Sequence, residues 1–222
     1  MKQVLLVLCL MAALPSFAQM KLNGKVTGAE GKKVILFREN SEDTVKVTYV
    51  KNEQFTLVFP KETLPYEVFA VKLEGRPGAC FIVPDNGSFT IQSAYKLWPL
   101  ADKSSKLDGI NWGIQNYLEA FYPFLERAMD LQQEVDAWDG EDTAKGIALQ
   151  NKSDNLLKEL QTAATAYVKS HPKSFASLIA IQYELGDTDY DELLKLLAPE
   201  LQKNPFALRI KERNEPLETD EQ

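Results

Sequence analysis

Thiols and imidazoles are almost absent from this chain: 222 residues carry two cysteines and one histidine. Cys9 falls inside the apolar N-terminal run, so processing leaves Cys80 alone. A single thiol excludes an internal disulfide, a Cys-x-x-Cys redox pair and a multi-thiolate zinc site. A single histidine, His171, excludes a His-rich metal centre. Positive charge is also scarce, with 25 Lys and Arg against 32 Asp and Glu and a net charge of −7. That balance repels phosphate backbones and anionic headgroups, which argues against nucleic-acid and membrane-surface binding. Past the N-terminus no apolar run approaches the ~18 residues of a spanning helix. The nucleophile elbow, the Walker loop, the His-Glu-x-x-His pair and the dinucleotide fingerprint are all missing. A hydrophobic fraction of 45% is ordinary for a chain with a buried core, so packing must supply the stability.

What is present begins with an address. Lys2 precedes the uncharged apolar run Val4 to Leu14, Pro15 breaks it, and Ser16-Phe17-Ala18 puts small residues where a signal peptidase reads. The expectation is a signal peptide over residues 1–18, cleaved before Gln19, and a periplasmic or secreted protein. The run is too short for a permanent membrane helix. Cys9 follows the bulky Leu8, so no lipid anchor and no membrane insertion are expected after cleavage. Removing residues 1–18 leaves 204, enough for one large domain or two small ones.

From Met20 to Gln92 the hydrophobic period is two. Thr44-Val45-Lys46-Val47-Thr48-Tyr49 alternates like a strand with one face on a core. Val34 to Phe37, Phe55 to Phe59, Tyr66 to Val71 and Cys80 to Val83 read as further strands. Turn residues separate them, including Lys51-Asn52-Glu53 and the hairpin signal Asn86-Gly87. About seven short strands predict an antiparallel β-sandwich over residues 19–95. Residues 96–111 read as a connector, rich in turn formers around Pro99 and Gly109. The period then becomes 3.6, which predicts a helical region over 112–213. Its long helices run from Trp112 to Ala137 and from Thr143 to Ser170, with Pro123 kinking or splitting the first. Leu156, Leu157, Leu160, Ala164, Tyr167 and Val168 face inward on the second. Shorter helices follow Ser174, Asp189 and Pro205, the first of them leaving through Gly186. Residues 214–222 read as a disordered acidic tail. The fold class is therefore α+β. Whether the helices pack on the sandwich is left open by the sequence.

Each candidate site has a plain structural reading beside it. Cys80 alternates with strand residues and suits a small buried hydrophobe. The sharper reading is a reactive thiol, which needs exposure and a nearby cation such as Arg76. His171 precedes Pro172 at a helix end and suits the carbonyl terminus there. Asp136 to Asp142 resembles a calcium loop, but Val135 and Ala137 stand where oxygen donors are required. Sequence cannot place two carboxylates at the ~5–9 Å that glycoside chemistry needs. Trp98, Trp112 and Trp138 suit core or interface positions better than a carbohydrate platform. Phe121, Tyr122, Phe124 and Trp138 are the candidate contact surface, with a buried helical stripe as the alternative. No catalytic residue, cofactor or metal is expected.

The order of pieces resembles a known family. Leu22-Asn23-Gly24-Lys25-Val26, Asp43-Thr44, Asn52-Glu53-Gln54-Phe55, Pro65-Tyr66-Glu67-Val68 and Phe81-Ile82-Val83-Pro84 carry the resemblance in the β part. His171-Pro172-Lys173-Ser174 and Leu193 to Pro205 carry it in the helical part. The chain is similar to the domain of unknown function 4369 and its helical extension, the non-catalytic N-terminal part of periplasmic thiol-disulfide oxidoreductases. A thioredoxin-like domain with a Trp-Cys-x-x-Cys site commonly follows in that family; here no residues match it, so no catalytic role carries over. The resemblance implies an accessory half standing alone. The expected function is an exported, non-enzymatic binding or scaffolding module. Its expected partner is another periplasmic or envelope protein, or a second copy of the chain. The alternative is a carrier of a small apolar or glycan ligand between sandwich and helices, with a hydrolase as the remotest option.

Overall fold

A computed structural model describes residues 20–39, 41, 43–60, 66–84, 88–185 and 190–214. Residues 1–18, read as a signal peptide, the expected Asn86-Gly87 turn, Gly186, Asp189 and the expected tail past Asn214 lie outside them.

Among the described residues seven strands form two sheets. Strands β1 (Lys21–Thr27), β4 (Gln54–Val58) and β7 (Ser88–Ala94) make one sheet in the order β4-β1-β7. Strands β2 (Lys33–Arg38), β3 (Thr44–Tyr49), β5 (Phe69–Leu73) and β6 (Cys80–Ile82) make the other, in the order β3-β2-β5-β6. Strict alternation buries Leu22 and Val26, Val34 and Leu36, Phe55 and Leu57, and Phe89 and Ile91 between the sheets. The fold is α+β and sandwich-like, with helices after the strands. All pairings are antiparallel except β1 with β7, which run parallel from Lys21↔Ser88 to Thr27↔Ala94. Both strands end the β part, and placing them side by side closes the three-stranded sheet.

Two strands differ from their sequence pattern. β5 starts at Phe69 rather than Tyr66, because Tyr66 sits at φ 56°, a left-handed conformation no strand contains. β3 turns part of its apolar face outward: Val45 packs on the core, but Val47 pairs with Ile35, and Val47 and Tyr49 are 42% and 52% exposed. A register shift between Leu36 and Phe37 causes this, since one extra residue in an edge strand reverses the faces beyond it. Lys46, opposite Leu36, is exposed, and a charge on an edge strand discourages sheet-to-sheet pairing. The β3–β4 turn holds Asn52 and Glu53 at φ 51° and 60°, as a tight two-residue hairpin requires. Glu53 is fixed there by its carboxylate, which accepts from Gly28 N at 3.0 Å, and by its own N–H, which donates to Glu30.

Six α-helices follow among the described residues: α1 (Gly109–Asp136), α2 (Thr143–Ser170), α3 (Phe175–Glu184), α4 (Tyr190–Lys195), α5 (Pro199–Gln202) and α6 (Pro205–Asn214). α1 begins three residues before the expected boundary because Asp108 caps it, accepting from Asn111 N. It runs unbroken through Pro123 rather than splitting there. α3 packs against α1 and α2 and is buried along most of its length. The far arms of α1 and α2 bury little. Val135 and Ile147 are exposed, and cross-helix pairs Arg127–Glu159 (2.6 Å) and Lys152–Glu134 link the arms.

The helices pack on the sandwich. Asn111 is completely buried at the edge of β6, where Val83 N donates to Asn111 Oδ1 and Asn111 Nδ2 donates to Val83 O, each at 2.9 Å. One turn on, Gln115 accepts from Ala101 N at 2.9 Å and donates to Cys80 Sγ at 3.1 Å. The connector is structural as well. Trp98 is fully buried against Phe55, and Thr90 and Lys106 exchange backbone hydrogen bonds along the edge of β7. Two of the four sheet edges are thus covered.

Candidate functional site

A groove of about 380 Å³ opens where β6 meets the base of the helical hairpin. Gly78 and Pro99 form part of its floor. At φ +73° Gly78 takes a conformation that favours glycine, and a Cβ there would lie 3.0 Å from Leu125 Cδ2. α1 is fixed below this point by Asn111 and Gln115, and its next turns present Tyr117, Phe121, Tyr122 and Phe124. α2 supplies Leu156, Leu157 and Leu160 from the opposite wall, and Tyr183 and Glu184 close one end from α3. The rings are mutually packed: Phe81 stacks on Tyr183 at 4.9 Å, and Tyr117 lies 4.8 Å from Phe121.

Tyr117 and Glu184 form the polar end. The Tyr117 hydroxyl donates to Glu184 Oε1 in a short hydrogen bond. Burial is the main cause that pushes the Tyr117 phenol well above its ordinary value, and the adjacent carboxylate adds to it. Burial likewise raises the Glu184 carboxyl, against the opposing effect of the Tyr117 hydrogen bond. Glu184 is also the last residue of α3, where the helix's carbonyl end disfavours negative charge.

A raised acid binds its proton more tightly folded than unfolded, so this group's contribution to stability falls as pH rises through the carboxylate range. Glu184→Gln should therefore stabilise the fold at pH 7 relative to wild type and lose that advantage at about pH 4. Urea melts at the two pH values test this; an advantage independent of pH would show that Glu184 carries no such penalty.

The structure separates the other candidates. Phe121, Tyr122 and Phe124 converge on the groove, with Phe121 largely buried. Trp138 stands apart, resting on Gly146 of α2, where a Cβ would come within 2.7 Å of its ring. Leu157 does not face a closed core; it is 48% exposed on the groove wall. Cys80 is fully enclosed, and burial pushes its thiol up to about 12, so it is no reactive thiolate. Arg76 does not approach it: its guanidinium donates to Lys96 O at 2.6 Å and reaches Tyr122 Oη at 3.4 Å. His171 sits at the end of α2 as its position suggests, with Nδ1 3.0 Å from Tyr167 O and its ring stacked on Tyr167. In the acidic loop Asp142 caps α2 through Lys145 N. Among the described residues no cluster of His, Cys, Asp or Glu is arranged to hold a metal.

Sequence reasoning missed Asn111, Gln115 and the Tyr117–Glu184 pair. Asn111 and Gln115 lie on the same helical stripe as Ile114 and Leu118, and polar residues on an apolar stripe were the available signal. Glu184 had none, because its partner lies 67 residues away. Comparisons with protein-family models, with curated proteins and with solved structures return no match to this chain.

Proposed function

We propose that the chain is an exported, non-enzymatic binding module that holds a small apolar ligand in the groove between sandwich and helices. It is of the kind that forms the N-terminal part of periplasmic thiol-disulfide oxidoreductases. The observation that carries this is the groove itself. Its volume falls within the range of small-molecule sites, and its walls are aromatic and leucine side chains with few polar groups. Export is supported by Lys2, the run Val4 to Leu14 and Ser16-Phe17-Ala18. Between the two binding roles expected from sequence, ligand capture is favoured over scaffolding because Phe121, Tyr122 and Phe124 turn toward the groove. Leu157 tests the reading, being an exposed wall residue whose enlargement fills the groove without entering the core. Leu157→Trp should leave the melting temperature within about 2 °C of wild type. It should also abolish binding of an apolar fluorophore such as anilinonaphthalene sulfonate and remove any copurifying molecule seen by native mass spectrometry. Unchanged binding in a folded Leu157→Trp protein would refute the groove as the working surface.

A further inference from the structure

We propose that the groove selects an amphiphilic cation, with an ammonium head at Glu184 and an apolar chain laid along α1. This rests on the groove-binding reading above and adds the chemical class of the ligand. Among the described residues lining the groove, Glu184 is the one charged group. No lysine or arginine among the described residues pairs with it; its contacts amount to the Tyr117 hydroxyl. An anion in an apolar wall, at the carbonyl end of α3, is a site that lacks a positive charge.

The surroundings suit that charge. Tyr117, whose hydroxyl reaches the carboxylate, packs on Phe121, and Tyr183, next to Glu184 in the chain, stacks on Phe81; ring faces attract ammonium groups within about 6 Å. Away from Glu184 the lining stays largely apolar, with Leu118, Leu160, Leu156, Leu125 and Ala128 interleaved with the rings of Tyr122 and Phe124. From Tyr117 to Ala128 the helix advances about 16 Å, the length of a medium alkyl chain. A carboxylate head would meet repulsion at Glu184, and a neutral alcohol would leave the charge uncompensated.

Isothermal titration calorimetry with decylammonium, decanol and decanoate, each below its micellar concentration, separates the possibilities. Wild-type protein should bind decylammonium at least tenfold more tightly than decanol, with decanoate weakest. Glu184→Gln keeps the side chain's size and an acceptor for Tyr117, and should bring decylammonium down to the affinity of decanol without changing the latter. The wild-type ammonium preference should also shrink as sodium chloride is raised, a readout that holds if the variant fails to fold. Decanol binding as tightly as decylammonium, or a preference indifferent to both salt and Glu184→Gln, would overturn the cation and leave the apolar groove standing. Absence of binding by all three probes would overturn both.

Discussion

Asn111→Ala should lower the melting temperature by roughly 5–15 °C, far more than truncating an asparagine usually costs. The substitution removes no apolar contact of consequence. Instead it strands the N–H and C=O of Val83, which are paired by this side chain at the edge of β6. Each buried, unpaired backbone group costs about 1–3 kcal/mol. For a domain of this size 1 kcal/mol moves the melting temperature by about 2–4 °C. Asn111→Asp should be at least as damaging, since it keeps the acceptor for Val83 N but loses the donor and sets a second carboxylate against Asp108. Thermal melts of both variants decide the matter. A shift under about 2 °C for Asn111→Ala would mean that apolar packing alone docks the helices. A folded Asn111→Ala protein should also show faster amide exchange in α1 and β6, because the two elements are coupled through this residue.

The second large effect is expected at Gly24. It lies opposite Phe55 in the β1–β4 ladder, and the Phe55 ring covers it so closely that a Cβ would sit 2.0 Å from Cε1. Phe55 has little room to retreat, being 5% exposed and edge-on to the buried Trp98 at 6.4 Å. Gly24→Ala should destabilise by about 1–3 kcal/mol through overpacking, despite the better strand propensity of alanine. Phe55→Leu removes the obstructing ring, so the Gly24→Ala/Phe55→Leu protein should be more stable than the two single losses predict, by about 1 kcal/mol. Denaturant midpoints of the four proteins give that coupling directly. Strict additivity would show that the ring does not set the cost.

Much of this architecture was legible because periodicity reports burial. The alternation in Phe55 to Phe59 and the long helix Thr143 to Ser170 both stand where the pattern puts them. The pattern misled where burial depends on a partner distant in sequence. β3 alternates correctly, yet the shift at Leu36/Phe37 turns Val47 and Tyr49 outward, and no local feature of β3 announces it. Residues 96–111 have the composition of a linker, yet Trp98 fills the sandwich core. Of the groove lining, sequence singled out Phe121, Tyr122 and Phe124 as a candidate contact surface and Leu156, Leu157 and Leu160 as an inward stripe, because apolar side chains on one helix face advertise themselves. That the two stripes face each other across a groove, and that Tyr117 meets Glu184, arise only when α2 and α3 fold back onto α1, a juxtaposition that spacing does not encode.

The parallel pairing of β1 with β7 imposes an order of assembly. Among the described strands β1 is the first synthesised, and it is the central strand of its sheet, so both of its edges stay unsatisfied until later segments arrive. Gly24 waits for Phe55 on one side and for Ile91 on the other. The β2–β3 hairpin, in contrast, closes over neighbouring residues and can form at once. While β7 is still missing, the growing chain carries an apolar strand with an open side, the kind of intermediate that associates with its own copies. The alternate residues of β1 that face away from the core are Lys21, Asn23, Lys25 and Thr27. The two lysines put like charges on that waiting strand, so copies repel during the interval in which pairing between chains would be most damaging.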